Sequence, residues 1–312
     1  MAANEDLRSN IVRVAQDGDM DLVGFASVDR FSSVHYRMRP EAHLPGAKTV
    51  ISIGMRYPMA MYERAGKGAS ESYFSMDGYE NFPMINTLMM AAMDVTRYVE
   101  KRGFLAIPTQ AKHYRVHPYK DIPDSWTQDF PNELAATAAG LGELGLHGRT
   151  ITPQYGTRQR FLAIITDAQI APDPLYKGDA LCDKCMKCVD KCWVQAFDGS
   201  QLTAVQVGER TFEQAKLDPW RCHYCCKFML ISEAGPATSG LNVTIPPPAV
   251  VTEADIQKGL SDKGAKGGLQ TWYTYASRAC ERECIPPHLR GVQTGYEDTQ
   301  PTAQGAHHVN PI

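Results

Sequence analysis

Cys182, Cys185, Cys188 and Cys192 form a C-x2-C-x2-C-x3-C ladder, which holds four of the nine cysteines in the 312-residue chain. That spacing suits [4Fe-4S] ligation of the bacterial type, in which three close thiolates take irons of one cluster and the fourth reaches a second. Zinc would call for two C-x2-C pairs rather than a four-rung ladder. Trp193 follows the last rung where proline is usual, a change to the turn rather than to the ligands. A second cluster needs Cys192 and three further thiolates, and Cys222, Cys225, Cys226, Cys280 and Cys284 remain, one of which can return to the first cluster. By this count Cys182, Cys185, Cys188 and Cys284 hold one cluster. Cys192, Cys222, Cys280 and either Cys225 or Cys226 hold the other. One thiol is spare and reads as a small buried hydrophobe. His223, in the midst of these, reads as a hydrogen-bonding neighbour.

Two adjacent clusters make an electron wire, and a wire needs something to reduce. The roughly 180 residues ahead of Cys182 are a domain-sized length and are the expected home of a substrate or an organic cofactor. Lys and Arg number 32 against 35 Asp and Glu, a net charge of −3, so no general attraction to nucleic acid or acidic membranes is expected. No apolar run approaches the ~20 residues of a membrane-spanning helix. The amino-terminal residues carry neither a basic stretch leading into an apolar one nor a twin arginine, which makes the cytoplasm the expected location. The odd number of cysteines, all in the second half, argues against a secreted disulfide framework.

Several elements must position this chemistry. Leu22 to Val28 and Thr49 to Ile53 are β-branched apolar runs that read as buried strands, as does Phe161 to Thr166. Pro83 to Arg102 has apolar residues at helical spacing, a proline at the start and Gly103 beyond the end. The methionines on it, Met84, Met89, Met90 and Met93, read as core filler. A second helix is expected from about Asn132 to Ala139. Gly140, Gly142 and Gly145 then spell G-x-G-x-x-G, but the motif follows a helix instead of a strand, so a dinucleotide site is not expected and the glycines are read as allowing close backbone approach. Residues 232–270, with Pro246-Pro247-Pro248, read as a long surface insertion carrying one short helix from Glu253 to Leu260. The polar tail, 291–312, reads as loosely ordered or wrapped on a neighbour, which is compatible with a homo-oligomer.

Taken together, LVGFASV, LPGAKTVISIGMRYP at Leu44 to Pro58, AAGLGELGLHGRTITPQYGTRQRF at Ala138 to Phe161 and the cysteine ladder resemble the cobalamin-dependent family that joins reductive dehalogenases and epoxyqueuosine reductases. AGLGELG followed by ITPQYG resembles the dehalogenase branch. The resemblance implies an α+β fold, with a nitroreductase-like corrinoid-binding core over 1–175 and a ferredoxin-like module with two [4Fe-4S] clusters over 176–290. It implies a cobalamin-dependent iron-sulfur oxidoreductase acting on a small-molecule substrate and fed by a ferredoxin or flavodoxin-like electron donor. Gly140, Leu141, Gly142, Gly145 and Gly148 would then lie against the cofactor. Tyr114 and Tyr119 are the proton-donor candidates, with Arg158 and Arg160 as the basic residues. Asp124 and Asp129 lie near the position of the aspartate used by the tRNA enzyme. The family's last cysteine motif would put a ligand at Ser277, a departure that Cys225 or Cys226 could make good. Two other readings remain: an epoxyqueuosine reductase acting on tRNA, and an electron-transfer or corrinoid-handling protein with no substrate of its own.

Overall fold

The computed structural model describes residues 2–58, 83–110, 130–228, 247–267 and 279–290. Its centre is an antiparallel sheet in the order β1-β2-β6-β3, built from β1 (Leu22–Ser27), β2 (Thr49–Arg56), β3 (Ala106–Pro108) and β6 (Gln159–Thr166). β2 runs along β6 from Thr49↔Thr166 to Arg56↔Gln159. Strand side chains alternate between faces, and here both faces are covered, which is why these strands read as continuous apolar runs. Phe25, Ile51, Ile53, Leu162 and Ile164 face α1 (Ala2–Asp17) and α2 (Ile85–Lys101), meeting Ile11, Leu88, Ala92 and Val95. Ala26, Val50, Ala163 and Ile165 face the opposite way. They pack under Leu134, Ala135 and Ala138 of α3 (Asn132–Ala138) and under Val205, Val207 and Phe212.

Between α3 and β6 the chain forms the two-residue strands β4 (Glu143–Leu144) and β5 (Thr150–Ile151), paired antiparallel. The glycines of GLGELG lie at this turn. Gly140 has φ +76°, and a Cβ there would stand 2.1 Å from the Pro174 carbonyl oxygen; at Gly142 it would stand 2.0 Å from that of Ile151. At both positions the close neighbour is therefore the protein's own backbone. α3 precedes the motif and β4 lies within it, whereas a dinucleotide fingerprint follows a strand and opens a helix.

Beyond the ladder and α4 (Lys187–Asp190), the long hairpin of β7 (Phe197–Val207) and β8 (Arg210–Leu217) returns to the sheet's second face. It leads into α5 (Pro219–Phe228), which packs with α6 (Glu253–Gly267) through Tyr224, Val251 and Ile256. Two readings of the sequence change here. The helix expected over 253–260 extends to Gly267, started by a Thr252–Asp255 exchange in which the Thr252 amide donates to Asp255 Oδ2 at 2.8 Å. Of the α2 methionines, Met84 is buried, but Met89, Met90 and Met93 are exposed because Leu88, Ala92, Val95 and Val99 already fill the arc facing the sheet. Among the described residues no helix is long and apolar enough to cross a membrane.

The glycine turn yields a prediction. Gly142→Ala forces its methyl into a backbone carbonyl that cannot rotate away, so its cost should reach or exceed the ~1–3 kcal/mol of ordinary overpacking. Gly46 also has a left-handed φ of +84°, but nothing lies within 4 Å of its absent Cβ. Gly46→Ala should cost only the ~1–2 kcal/mol of left-handed backbone. Equal losses by thermal or denaturant unfolding would contradict the packing described.

Candidate metal centres

The ladder cysteines come together because the backbone between them turns through a conformation that side chains rarely adopt. Lys184 and Met186 have φ of 57° and 61°, and Met186 opens α4, which carries Cys188. The Asp183 carboxylate accepts the Cys185 amide at 3.3 Å, holding the first turn. A residue nearly a hundred positions further on completes the ring. Cys182, Cys185, Cys188 and Cys284 line one open-sided cavity of about 300 Å³, counting the solvent at its mouth, together with His147, Leu181, Met186 and Arg290. Cys188 is buried and Cys185 exposed, so this first nest of thiols reaches the surface.

A second nest gathers beside it. Gln195, at φ 51°, turns the chain after Cys192, and the Ala196 amide donates to Cys192 Sγ at 3.3 Å. The Asp218 amide donates to the Ala196 carbonyl at 2.7 Å, and Arg221 donates to the Val194 carbonyl at 2.6 Å, docking the start of α5 against that turn. Cys222 and Cys225, three apart and so on one side of α5, pack with Cys192 on Val194 and Ala196. Cys280 lies close enough to Cys192 and Cys225 to feel both charges. Cys226 is on α5, but its side chain falls outside the described residues, as do Ser277, Tyr114, Tyr119, Asp124 and Asp129.

Crowding these thiols has an electrostatic consequence. Burial, then the Cys182 and Cys185 charges, pushes the Cys188 thiol up to about 12. Burial, then the Cys188, Cys182 and Cys185 charges, raises Cys284, and burial, then the charges of Glu281, Cys192 and Cys225, raises Cys280, both well above the ordinary thiol range. Burial, opposed by backbone amides, raises Cys192. Several thiolates cannot share a dry space without a cation among them, and iron supplies one. Among the described residues no group of three His, Cys, Asp or Glu side chains is placed to hold a single metal ion, and four thiols line one cavity. This donor set suits a multi-iron cluster.

The short helix α7 (Ala279–Arg282) brings Cys280 to one nest and leads to Cys284 at the other, and a buried carboxylate locks it down. Glu281, 4 % exposed, has Oε1 3.0 Å from an Arg149 guanidinium nitrogen and Oε2 3.7 Å from one of Arg160. Arg149 also donates to Glu133 on α3 at 2.9 Å. The chain Glu133–Arg149–Glu281–Arg160 thus balances its charges. Thr157 Oγ1 donates to the Glu281 carbonyl at 2.8 Å and His288 Nε2 lies 2.7 Å from the Pro153 carbonyl. Arg290 donates to Asp183 at 2.9 Å, holding its carboxyl down at about 2.

Of the two arginines singled out in the sequence, Arg160 is therefore engaged with Glu281 and lies over the Tyr57 ring at 5.9 Å. Arg158 is buried, and its carbonyl accepts the Tyr57 amide. Leu141 packs on the core. Gly145 adjoins the His147 ring, and Gly148, at φ +75°, faces Gln214. Sequence reasoning passed over Glu281 and His147. A charged residue between two ligand cysteines and a histidine inside a glycine-leucine run were the signals available.

Comparison with known proteins places this architecture. No family model matches the chain. Over 96 residues it is 36% identical to a tetrachloroethene reductive dehalogenase of Dehalobacter restrictus, covering 28% of this chain and 17% of that protein. Over 209 residues it is 24% identical to the epoxyqueuosine reductase of Bacillus subtilis, covering 60% of this chain and 50% of that enzyme. A solved reductive dehalogenase, described as suggesting a mechanism for B12-dependent dehalogenation, matches with TM-score 0.50 at 16% identity, covering 87% of this chain and 36% of its own. The chain has a mixed α/β fold that resembles this solved reductive dehalogenase. In sequence it is similar to reductive dehalogenases over a short stretch and to epoxyqueuosine reductases over more of its length. The matches span half or less of the length of these curated relatives.

The clamp makes its own prediction. Glu281→Ala leaves Arg149 and Arg160 buried without their shared carboxylate, which should cost about 3–5 kcal/mol. A lowered apparent Tm with loss of iron is the expected result; an unchanged Tm with full iron would mean the clamp does not hold α7.

Proposed function

We propose that the chain is an iron-sulfur oxidoreductase of the dehalogenase-like kind, passing electrons through two [4Fe-4S] clusters to a cobalamin that serves a small organic substrate. The observation that carries this reading is the ring of Cys182, Cys185, Cys188 and Cys284 around one cavity, with further thiols beside it. In this assignment the second cluster takes Cys192, Cys222, Cys280 and Cys225, the last chosen for its closeness to Cys280 and Cys192. Cys226 is the spare thiol. The domain reading follows: a nitroreductase-like core over 1–175 and a ferredoxin-like module over 176–290, whose hairpin β7–β8 also covers the core sheet.

Exposed Cys185 marks the side where a ferredoxin or flavodoxin-like donor delivers electrons. Bound cobalamin supplies a low-potential cobalt able to hand electrons to a carbon–halogen or epoxide bond. Reductive dehalogenation consumes two electrons and one proton and releases halide, so the chain must supply the proton. Tyr114 and Tyr119 are the proposed donors, with Arg158 as the nearby cation. The glycines of GLGELG are not needed to carry the reading, because protein backbone already explains two of them.

A second reading has its own support. The epoxyqueuosine reductase relative matches more than twice the share of this chain that the dehalogenase relative does. It would require a tRNA anticodon loop to bind despite a net charge of −3. Gel-shift titration with such a stem-loop separates the two: tight, salt-sensitive binding favours the tRNA reading.

Anaerobically purified protein should contain close to eight irons and eight sulfides per chain with little zinc; four irons would remove the second cluster. Cys192→Ser should damage one cluster and leave intact the one held by Cys182 and Cys185, as read by electron paramagnetic resonance of the reduced variant. Added cobalamin should bind and give a base-off spectrum. Under reduced viologen the loaded protein should then reduce an activated halogenated or epoxide-bearing compound. Replacing the true proton donor with phenylalanine should lower turnover by ~10²–10⁴-fold with cobalamin still bound. No corrinoid binding in an eight-iron protein would leave an electron-transfer or corrinoid-handling role.

A further inference from the structure

His147 lines the cavity formed by Cys182, Cys185, Cys188 and Cys284, and it is only 9 % exposed. Its Nδ1 accepts the backbone amide of Arg149 at 3.1 Å, so in the neutral ring the proton sits on Nε2. That Nε2 is buried and has no hydrogen-bond partner among the described residues. Buried polar groups are satisfied in the large majority of cases, so an unmet buried donor calls for a partner. The ring is also held in place from its other side. A Cβ on Gly145 would stand 2.9 Å from His147 Cε1, so glycine at 145 is what admits the imidazole. With Nδ1 engaged by the backbone, Nε2–H is the ring's remaining donor, and the cavity it lines is the proposed seat of a cluster.

We propose that His147 Nε2–H donates a hydrogen bond to a sulfur of the cluster held by Cys182, Cys185, Cys188 and Cys284, and so tunes that cluster's reduction potential. The inference rests on the two-cluster reading above. A donor facing a cluster sulfur favours the reduced state, which carries one more negative charge, and hydrogen bonds to the sulfurs are among the determinants of cluster potential. The effect belongs to one cluster, because the second nest lies around Cys192, Cys222, Cys225 and Cys280.

The test is a potentiometric titration followed by electron paramagnetic resonance, on wild type, His147→Phe and His147→Gln, with iron counted first. Phenylalanine keeps a ring and removes the donor; glutamine keeps an N–H. With eight irons present, His147→Phe should titrate the ladder cluster at a lower potential and leave the other where it was, and His147→Gln should recover part of the shift. In wild type, the reduced ladder cluster should show a coupled proton that exchanges in D2O and is missing from His147→Phe. Unchanged potentials, or a shift common to both clusters, would overturn the inference. Should the phenylalanine variant fail to fold, absence of the exchangeable coupled proton in wild type overturns it as well. Fewer than eight irons in wild type would instead strike the cluster reading itself.

Discussion

Glu281 is the point on which the described architecture turns. Its carboxylate lies buried between Arg149 and Arg160, at 3.0 and 3.7 Å, in a segment whose neighbours Cys280 and Cys284 serve different thiol nests. Taking one carboxylate and two guanidiniums out of water costs several kcal/mol per ion and is tolerable only when the charges meet one another. Glu133 supplies the balancing negative charge at 2.9 Å from Arg149. The sheet contributes Arg160 from β6, and β5 begins one residue after Arg149, so the metal-centre segment is referred directly to the core. A shift of α7 would break the ion chain and both nests together.

This arrangement explains why the chain can place chemistry on irregular backbone. The ladder runs through left-handed positions at Lys184 and Met186, and Gln195 adds a third; such conformations persist only where the surroundings impose them. Here the surroundings are specific: Asp183 joins the ladder to Arg290, Arg221 joins α5 to the turn after Cys192, and Tyr224 anchors α5 on α6. The raised thiols are the other side of the same constraint. A pocket lined by several thiols opposes their ionisation unless a cation joins them, so a metal bound there would be linked to the ordering of these segments.

The relationship to two reductase groups fits this division of labour. A sheet covered on both faces, with a thiol-rich segment clamped on one side, is a frame that can serve different substrates by altering the loops above it, since function resides in the site rather than the fold. The tyrosines proposed as proton donors belong to 111–129, outside the described residues, and the substrate question rests there.

Much was legible from the sequence because it depends on local pattern. The runs at Leu22, Thr49 and Phe161 marked strands, the 3.6-residue period after Pro83 marked α2, and the spacing of the ladder from Cys182 to Cys192 by itself suggested iron-sulfur ligation. Reading GLGELG as a site of close approach also needed only local grammar, but the partners, the carbonyl of Ile151 across the β4–β5 pair and that of Pro174 beyond β6, come from tertiary structure. The solvent-facing side of α2 was misjudged because periodicity locates an apolar stripe without saying how wide the covering surface is. The sequence could not say which side of α5 Cys225 takes, whereas packing puts it with Cys192 and Cys222 on Val194 and Ala196. Glu281 and His147 illustrate the same limit. Glu281 meets arginines more than a hundred positions away, and His147 lines a cavity closed by Cys284, so both placements emerge only when the sheet, the hairpin and α7 have closed around them.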